Sequence, residues 1–176
     1  MNVTPTALPD VLLIALDIYP DDRGAFFESY NREKMAKLGV HDDFIQDSTS
    51  ISKRNVLRGL HYQRDPYFQG KLVSVVRGEV FDVAVDVRSG SASYGKWTGV
   101  VLSEENHQML YIPKGFAHGF YVRRDAVFCY KLSGAYYVKE SATGIIWNDP
   151  TLAIDWGIPD GVSPIRSAQD QALPSF

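Results

Sequence analysis

Between Lys71 and Arg88 the hydrophobic positions fall in two β-branched, strand-like runs, Leu72-Val73-Ser74-Val75-Val76 and Val80-Phe81-Asp82-Val83-Ala84-Val85-Asp86-Val87, the second alternating with the two-residue period of a β-strand. Arg77-Gly78-Glu79 lies between the two runs and predicts a hairpin turn. Successive strand side chains point to opposite sides. Phe81, Val83, Val85 and Val87 therefore share one face, expected to pack, and Asp82, Ala84 and Asp86 share another, expected to be polar. Further strand-like runs over Trp97 to Leu102, Gln108 to Ile112, Gly119 to Val122 and Ala126 to Leu132 are divided by Ser/Glu/Asn, Pro/Gly and Arg/Asp breaks. Val11 to Leu16 reads as a first strand. Only Asn31 to Gly39 reads as helical, with an asparagine cap, Glu33 and Lys37 one turn apart and a terminating glycine. Many short strands with Gly/Pro turns predict an all-β chain folded as an antiparallel double-sheet jelly roll with a few short peripheral helices. The Pro/Gly-rich tail after Trp156 is expected to wrap its surface.

The 176 residues, 45% of them hydrophobic, are enough to bury one substantial core, so residues 1–176 are expected to form a single domain. A formal net charge of −3 without runs of Lys or Arg argues against a nucleic-acid surface, leaving any phosphate recognition to local groups. The single cysteine, Cys129, lies in an apolar run and reads as a buried small hydrophobe; it allows no internal disulfide and suits a reducing compartment. No segment approaches the length of a membrane-spanning helix, and Val11 to Leu16 follows no basic residue as a signal peptide would. A cytoplasmic location is expected.

Two short motifs carry the chemistry: Arg58-Gly59-Leu60-His61-Tyr62-Gln63 and Pro113-Lys114-Gly115-Phe116-Ala117-His118-Gly119-Phe120. The second has the PxGxxH spacing with which cupin-type barrels bring a histidine inward from a tight turn. The first resembles the matching half of such a site, with one change. Where a metal-binding cupin has a second histidine two residues on and a glutamate soon after, this chain has Gln63 and then Lys71. An ammonium repels a divalent cation and offers no lone pair. The pocket therefore reads as an anion site, with no metal or other cofactor expected.

The resemblance extends to Asp22-Arg23-Gly24-Ala25-Phe26-Phe27-Glu28, Gln69-Gly70-Lys71-Leu72-Val73, Gly78 to Arg88, Tyr94-Gly95-Lys96-Trp97, Ile112 to Phe120 and Trp147-Asn148-Asp149-Pro150. These stretches run in order through nearly the whole chain, which resembles the dTDP-4-dehydrorhamnose 3,5-epimerase family, sugar-nucleotide epimerases of the cupin type in dTDP-L-rhamnose synthesis. The resemblance implies inversion of carbon beside a 4-keto group: a weakly acidic proton is removed, an enolate is stabilised and a proton returns to the other face. Histidine is a base that is neutral near physiological pH. By resemblance His61 is that base, Asp170 its carboxylate partner, Lys71 the cation facing the enolate oxygen and Tyr130 the proton donor from the other side. His118 would be a second polar wall near sugar or phosphate.

The resemblance also assigns Arg23 and Arg58 to the pyrophosphate, whose oxygens suit a guanidinium fork, and Phe26, Glu28 and Gln46 to the base or ribose. The family exchanges its N-terminal strand between subunits, which implies a homodimer in which Phe26 and Glu28 serve the neighbour's pocket. Departures cluster on the nucleotide side. The usual Gln-x-Asn is Gln46-Asp47-Ser48, leaving Ser48 in place of an amide. The tyrosine that stacks on the base is either Tyr136 or Tyr137, the proline after it is Val138 or absent, and the lysine before Asp170 is Gln169. Two rivals stay open, an epimerase inverting one carbon and a non-catalytic sugar-nucleotide-binding cupin. A metal-dependent oxygenase is disfavoured by Gln63 and Lys71. Asp82 and Asp86 could share the polar barrel face or support turns, and stand outside the expected active set.

Overall fold

The computed structural model describes residues 1–176 as strands β1 (Asn2–Pro5), β2 (Leu12–Ala15), β3 (Tyr19–Asp21), β4 (Gly24–Phe26), β5 (Phe44–Ser52), β6 (Leu57–Gln63), β7 (Gln69–Asp86), β8 (Trp97–Ser103), β9 (Gln108–Ile112), β10 (Phe116–Gly134) and β11 (Ala142–Gly144). Two helices, α1 (Arg32–Lys37) and α2 (Ala168–Gln171), complete the fold. All pairing between these strands is antiparallel. Helix α1 forms where the sequence predicts it, with Asn31 Oδ1 accepting the Lys34 N–H at 3.1 Å.

β7 and β10 pair along nearly their whole length, and each belongs to two layers. The first half of β7 pairs with β9 and the second half of β10 with β5, making one sheet in the order β1-β2-β9-β7-β10-β5. The second half of β7 pairs with β8 and the first half of β10 with β6, making the other, β8-β7-β10-β6-β11. This is the cupin-type jelly roll: two sheets face each other, and two bent strands pass from one to the other.

The hairpin expected at Arg77-Gly78-Glu79 does not form. The chain bends there and continues in the same direction, opposite a second bend at Arg123 to Ala126 where the expected break in β10 is likewise only an irregularity in register. Gly78 has φ of +83°, and a Cβ on it would lie 2.1 Å from the Asp125 carbonyl oxygen, so the glycine serves a close backbone crossing rather than a reversal.

The bend also corrects the reading of β7 as half polar. Val73, Val75, Val80 and Ala84 all join the core between the sheets, so the inward positions are odd before the bend and even after it. Asp82 and Asp86, on the supposedly polar face, are wholly buried. Val83 and Val85 point the other way, into a second cluster with Leu57, Leu60, Tyr121 and Trp156 that the chain after β11 covers. That tail wraps the sheet as expected, through a bridge between Ile165 and Val56 and a bond from Ile146 N–H to the Pro174 carbonyl at 2.8 Å. Asp86 is turn-supporting: it accepts bonds from Arg88, Ser91 and Ser93 at 2.6–2.9 Å and so shapes the β7–β8 connection. No helix is long and apolar enough to cross a membrane.

Candidate active site

The barrel opens at one end into two adjoining cavities. The outer, about 430 Å³, is lined by residues that include Gln46, Ser48, His61, Gln63, Gln69, Lys71, Tyr130 and Tyr137. The inner, about 190 Å³, is lined by Arg58, His118, Phe120 and Phe128 and shares His61, Lys71 and Tyr130 with the first. Those three therefore stand where the cavities join. They come from opposite walls. His61 lies on β6, paired with His118 of β10, whereas Tyr130 and Lys71 lie in the facing sheet, paired with Val73 and Leu132 respectively.

His61 reaches its place because β6 crosses β10 closely. A Cβ on Gly59 would sit 2.6 Å from Gly119 Cα, and one on Gly119 would sit 2.7 Å from the Arg58 carbonyl, so both motifs need glycine at the crossing. The tail then folds back. Helix α2, capped by Ser167, brings Asp170 Oδ1 to 2.5 Å from His61 Nε2. A carboxylate only accepts, so Nε2 carries the proton and donates it, leaving the Nδ1 lone pair as the basic site. Burial works to raise the Asp170 carboxyl, but the bonds from His61 and Ser167 and the Gly59 N–H outweigh it and hold the group below the usual carboxylate range, so it stays anionic.

The Lys71 ammonium donates to the His61 carbonyl oxygen at 3.5 Å, and no carboxylate lies within salt-bridge distance. Burial pushes the ammonium down to about 8, against the favourable charge of Asp82. Asp82 is a charged neighbour of the site that sequence reasoning left out. Its Oδ2 accepts from His118 Nε2 at 2.9 Å, while Oδ1 is buried without a protein partner. Burial lowers the His118 imidazole below its ordinary value, opposed by Asp82 and assisted by the charge of Lys71. The signal that could have found Asp82 was hidden by the bend: Lys71 is odd and Asp82 even, and only the shift at Gly78 brings both to the inner face.

Arg58 lines the inner cavity with its Nε bonded to Ser52 Oγ at 3.0 Å. Gln46 and Ser48 both line the outer cavity and are bonded to each other at 3.0 Å. Of the two tyrosines, Tyr137 lines the outer cavity and Tyr136 does not. Arg23, Phe26 and Glu28 are not brought to the cavity of their own chain. Arg23 is bonded to Asp21 on the exposed β3–β4 hairpin, the Phe26 ring is 66% exposed, and Glu28 is held by Asn31 and Lys34. No three His, Cys, Asp or Glu side chains cluster as metal ligands would. Gln63, at the position of a metal cupin's second histidine, spends its amide on backbone groups.

The mouth of the jelly roll thus sets an imidazole–carboxylate pair across from an ammonium and a phenol, an arrangement of groups that can give and take protons. Residues 5–176 match the family profile described as dTDP-4-dehydrorhamnose 3,5-epimerase. The dTDP-4-dehydrorhamnose 3,5-epimerase of Escherichia coli K12 is 51% identical over 98% of this chain and 93% of its own. The crystal structure of dTDP-6-deoxy-D-glucose-3,5-epimerase from Legionella pneumophila, in complex with dTDP-4-keto-L-rhamnose, is 48% identical. It superposes with a TM-score of 0.92 over 99% of this chain and 92% of that one. More distant is a 3′-monoepimerase from Streptomyces bikiniensis in complex with dTDP-quinovose, 30% identical with a TM-score of 0.87 over 97% and 86% of the chains. The chain belongs to the dTDP-4-dehydrorhamnose 3,5-epimerase family.

Proposed function

We propose that this chain epimerises C3 and C5 of a dTDP-4-keto-6-deoxyhexose, the step that yields dTDP-4-keto-L-rhamnose for dTDP-L-rhamnose synthesis. The observation that carries this is the placement of His61 on one sheet and of Lys71 and Tyr130 on the other, at the junction of two cavities. A sugar ring held there has a base on one face and an acid on the other. The His61 Nδ1 lone pair takes the proton beside the ketone, and the C–H electron pair moves into an enolate whose oxygen accepts from the Lys71 ammonium. Tyr130 then delivers its phenolic proton to the opposite face of the carbon. The imidazolium and phenolate are reset by solvent, so the reaction needs no redox partner and the enzyme is proposed to use no cofactor.

Arg58 and His118 flank the inner cavity, and Gln46, Ser48 and Tyr137 the outer one, in a surrounding suited to pyrophosphate and base. Arg23, Phe26 and Glu28 would serve the neighbouring subunit of a homodimer formed by exchange of the N-terminal strands. Their exposed hairpin, and the apolar Ile51 and Val76 at 80% and 63% exposure, support such a partner. A single-domain enzyme acting in the cytoplasm is consistent with the unpaired Cys129.

Proton NMR in deuterium oxide with dTDP-4-keto-6-deoxyglucose tests the reading. Exchange at both C3 and C5, and a product that a downstream ketoreductase captures as dTDP-L-rhamnose, is the expected result. Exchange at one carbon alone would favour the single-carbon reading that the Streptomyces bikiniensis relative keeps open. No exchange would leave a binding protein.

Two further outcomes are expected. Tyr130→Phe should retain deuterium exchange while product formation falls by about a hundredfold or more, the scale of a lost general acid. Equal losses in both would remove Tyr130 as donor. Asp82→Asn should move the alkaline limb of kcat/KM downward by about one pH unit. Asp82 favours the Lys71 ammonium, so without its charge the proton leaves at lower pH. A limb that stays in place would separate Asp82 from Lys71.

A further inference from the structure

Tyr137 is 65% exposed yet lines the outer cavity, so its position must come from its backbone more than from packing of its ring. That backbone lies in the connection between β10 and β11, and two glutamine side chains hold it. Gln63, buried at the end of β6, donates from Nε2 to the Tyr136 carbonyl at 3.2 Å and to the Tyr67 carbonyl at 2.8 Å, and its Oε1 accepts the Val138 N–H at 2.6 Å. Gln69, at the start of β7, donates to the Ala135 carbonyl at 2.7 Å. The amide of Gln63 thus grips the chain immediately before and immediately after Tyr137. A carboxamide is the side chain for this task, because it offers a donor and an acceptor on one planar group.

We infer that Gln63 is a positioning residue for nucleotide binding, holding the Tyr137 ring over the outer cavity as the platform for the flat base of a nucleoside diphosphate. The inference rests on the proposed nucleotide-sugar reading and extends it to a residue that touches no reacting atom. Stacking of a base on an aromatic ring is sequence-tolerant and substantial. Loosening the platform therefore weakens binding of any ligand with a base and spares one without it.

Gln63→Met keeps the volume and removes every bond of the amide. The affinity for dTDP, measured by calorimetry, is expected to fall about tenfold, with an equal rise in KM and a loss in kcat below about twofold. Inorganic pyrophosphate, which has no base, should compete against substrate as well as in the wild type. Tyr137→Ala should cause a similar loss of dTDP affinity, and the double variant should lose little more than either single one, because both remove the same platform. If Gln63→Met does not fold, Gln63→Glu carries the same test: it keeps the acceptor for Val138 and loses both donors. Unchanged dTDP affinity in the Gln63 variant, equal weakening of pyrophosphate, or full additivity with Tyr137→Ala would overturn the inference. Wild-type protein that fails to bind dTDP at all would overturn the functional reading beneath it.

Discussion

His61→Ala is expected to reduce turnover of a dTDP-4-keto-6-deoxyhexose by about 10⁴-fold, the upper range for a positioned general base, and to abolish deuterium exchange beside the ketone. The size follows from what the side chain does. In the proposed mechanism its Nε2 proton is committed to Asp170 at 2.5 Å, so Nδ1 would be the base and Asp170 would stabilise the imidazolium that forms. That stabilisation belongs to the transition state and not to the bound substrate, so kcat should collapse while dTDP affinity changes by less than about threefold. Exchange measured by NMR in deuterium oxide, alongside calorimetry, checks both halves. Substantial exchange in the variant would remove His61 from the role. Asp170→Asn should fall between variant and wild type, since an amide can still accept from Nε2 but leaves the imidazolium without its counter-charge.

Lys71→Ala is expected to slow turnover by about 10²- to 10³-fold, the cost of losing one preorganised partner of a developing oxyanion. The ammonium has no carboxylate partner of its own within reach and is partly shielded from solvent, so its field acts on whatever oxygen enters the junction of the cavities. The same burial makes this charge pH-sensitive. With the group lowered to about 8, the ammonium is present at pH 7 and is lost as the pH rises through 8, so kcat/KM should fall on the alkaline side of that value. The groups facing Lys71 are Asp82 on its own strand, His61 and Arg58 on β6, and His118 and Tyr130 on β10. Only Asp82 carries a negative charge that keeps it protonated. Lys71→Arg, whose guanidinium does not deprotonate in this range, should be slower than wild type but should lose the alkaline limb. A limb that persists in Lys71→Arg would assign it to another group.

Much of the barrel was legible in the sequence, because strand alternation is local. Gln108 to Ile112 forms β9 over that same span, Trp97 to Leu102 falls within β8, and helix α1 sits on its predicted cap. The bends in β7 and β10 were not legible. Arg77-Gly78-Glu79 has the composition of a hairpin turn, and a glycine with positive φ serves a reversal or a bulge equally well. Which one forms depends on whether Asp125 of a distant strand lies against it, and at 2.1 Å from a hypothetical Cβ it does. The alternation that set Asp82 and Asp86 on a polar face was correct as alternation. The chain beyond β11 and the opposite sheet then covered both sides.

What the sequence determined by itself was the set of candidate reactive groups and the strands that carry them: His61 and His118 in glycine-bearing motifs that permit a close crossing, Lys71 where a metal ligand would stand, and a jelly roll to hold them. These follow from spacing and residue chemistry, which act over a few residues. Tertiary structure alone decided which groups meet. Asp170 reaches His61 across 109 positions of chain, Asp82 joins Lys71 through a one-residue shift of parity, and Gln63, in the wall of the outer cavity, grips the backbone around Tyr137. The β3–β4 hairpin leaves Arg23 and Phe26 outside their own chain's cleft. Contacts of that kind are set by the packing of whole sheets, where a single bulge redirects every side chain beyond it, and no local pattern carries that information.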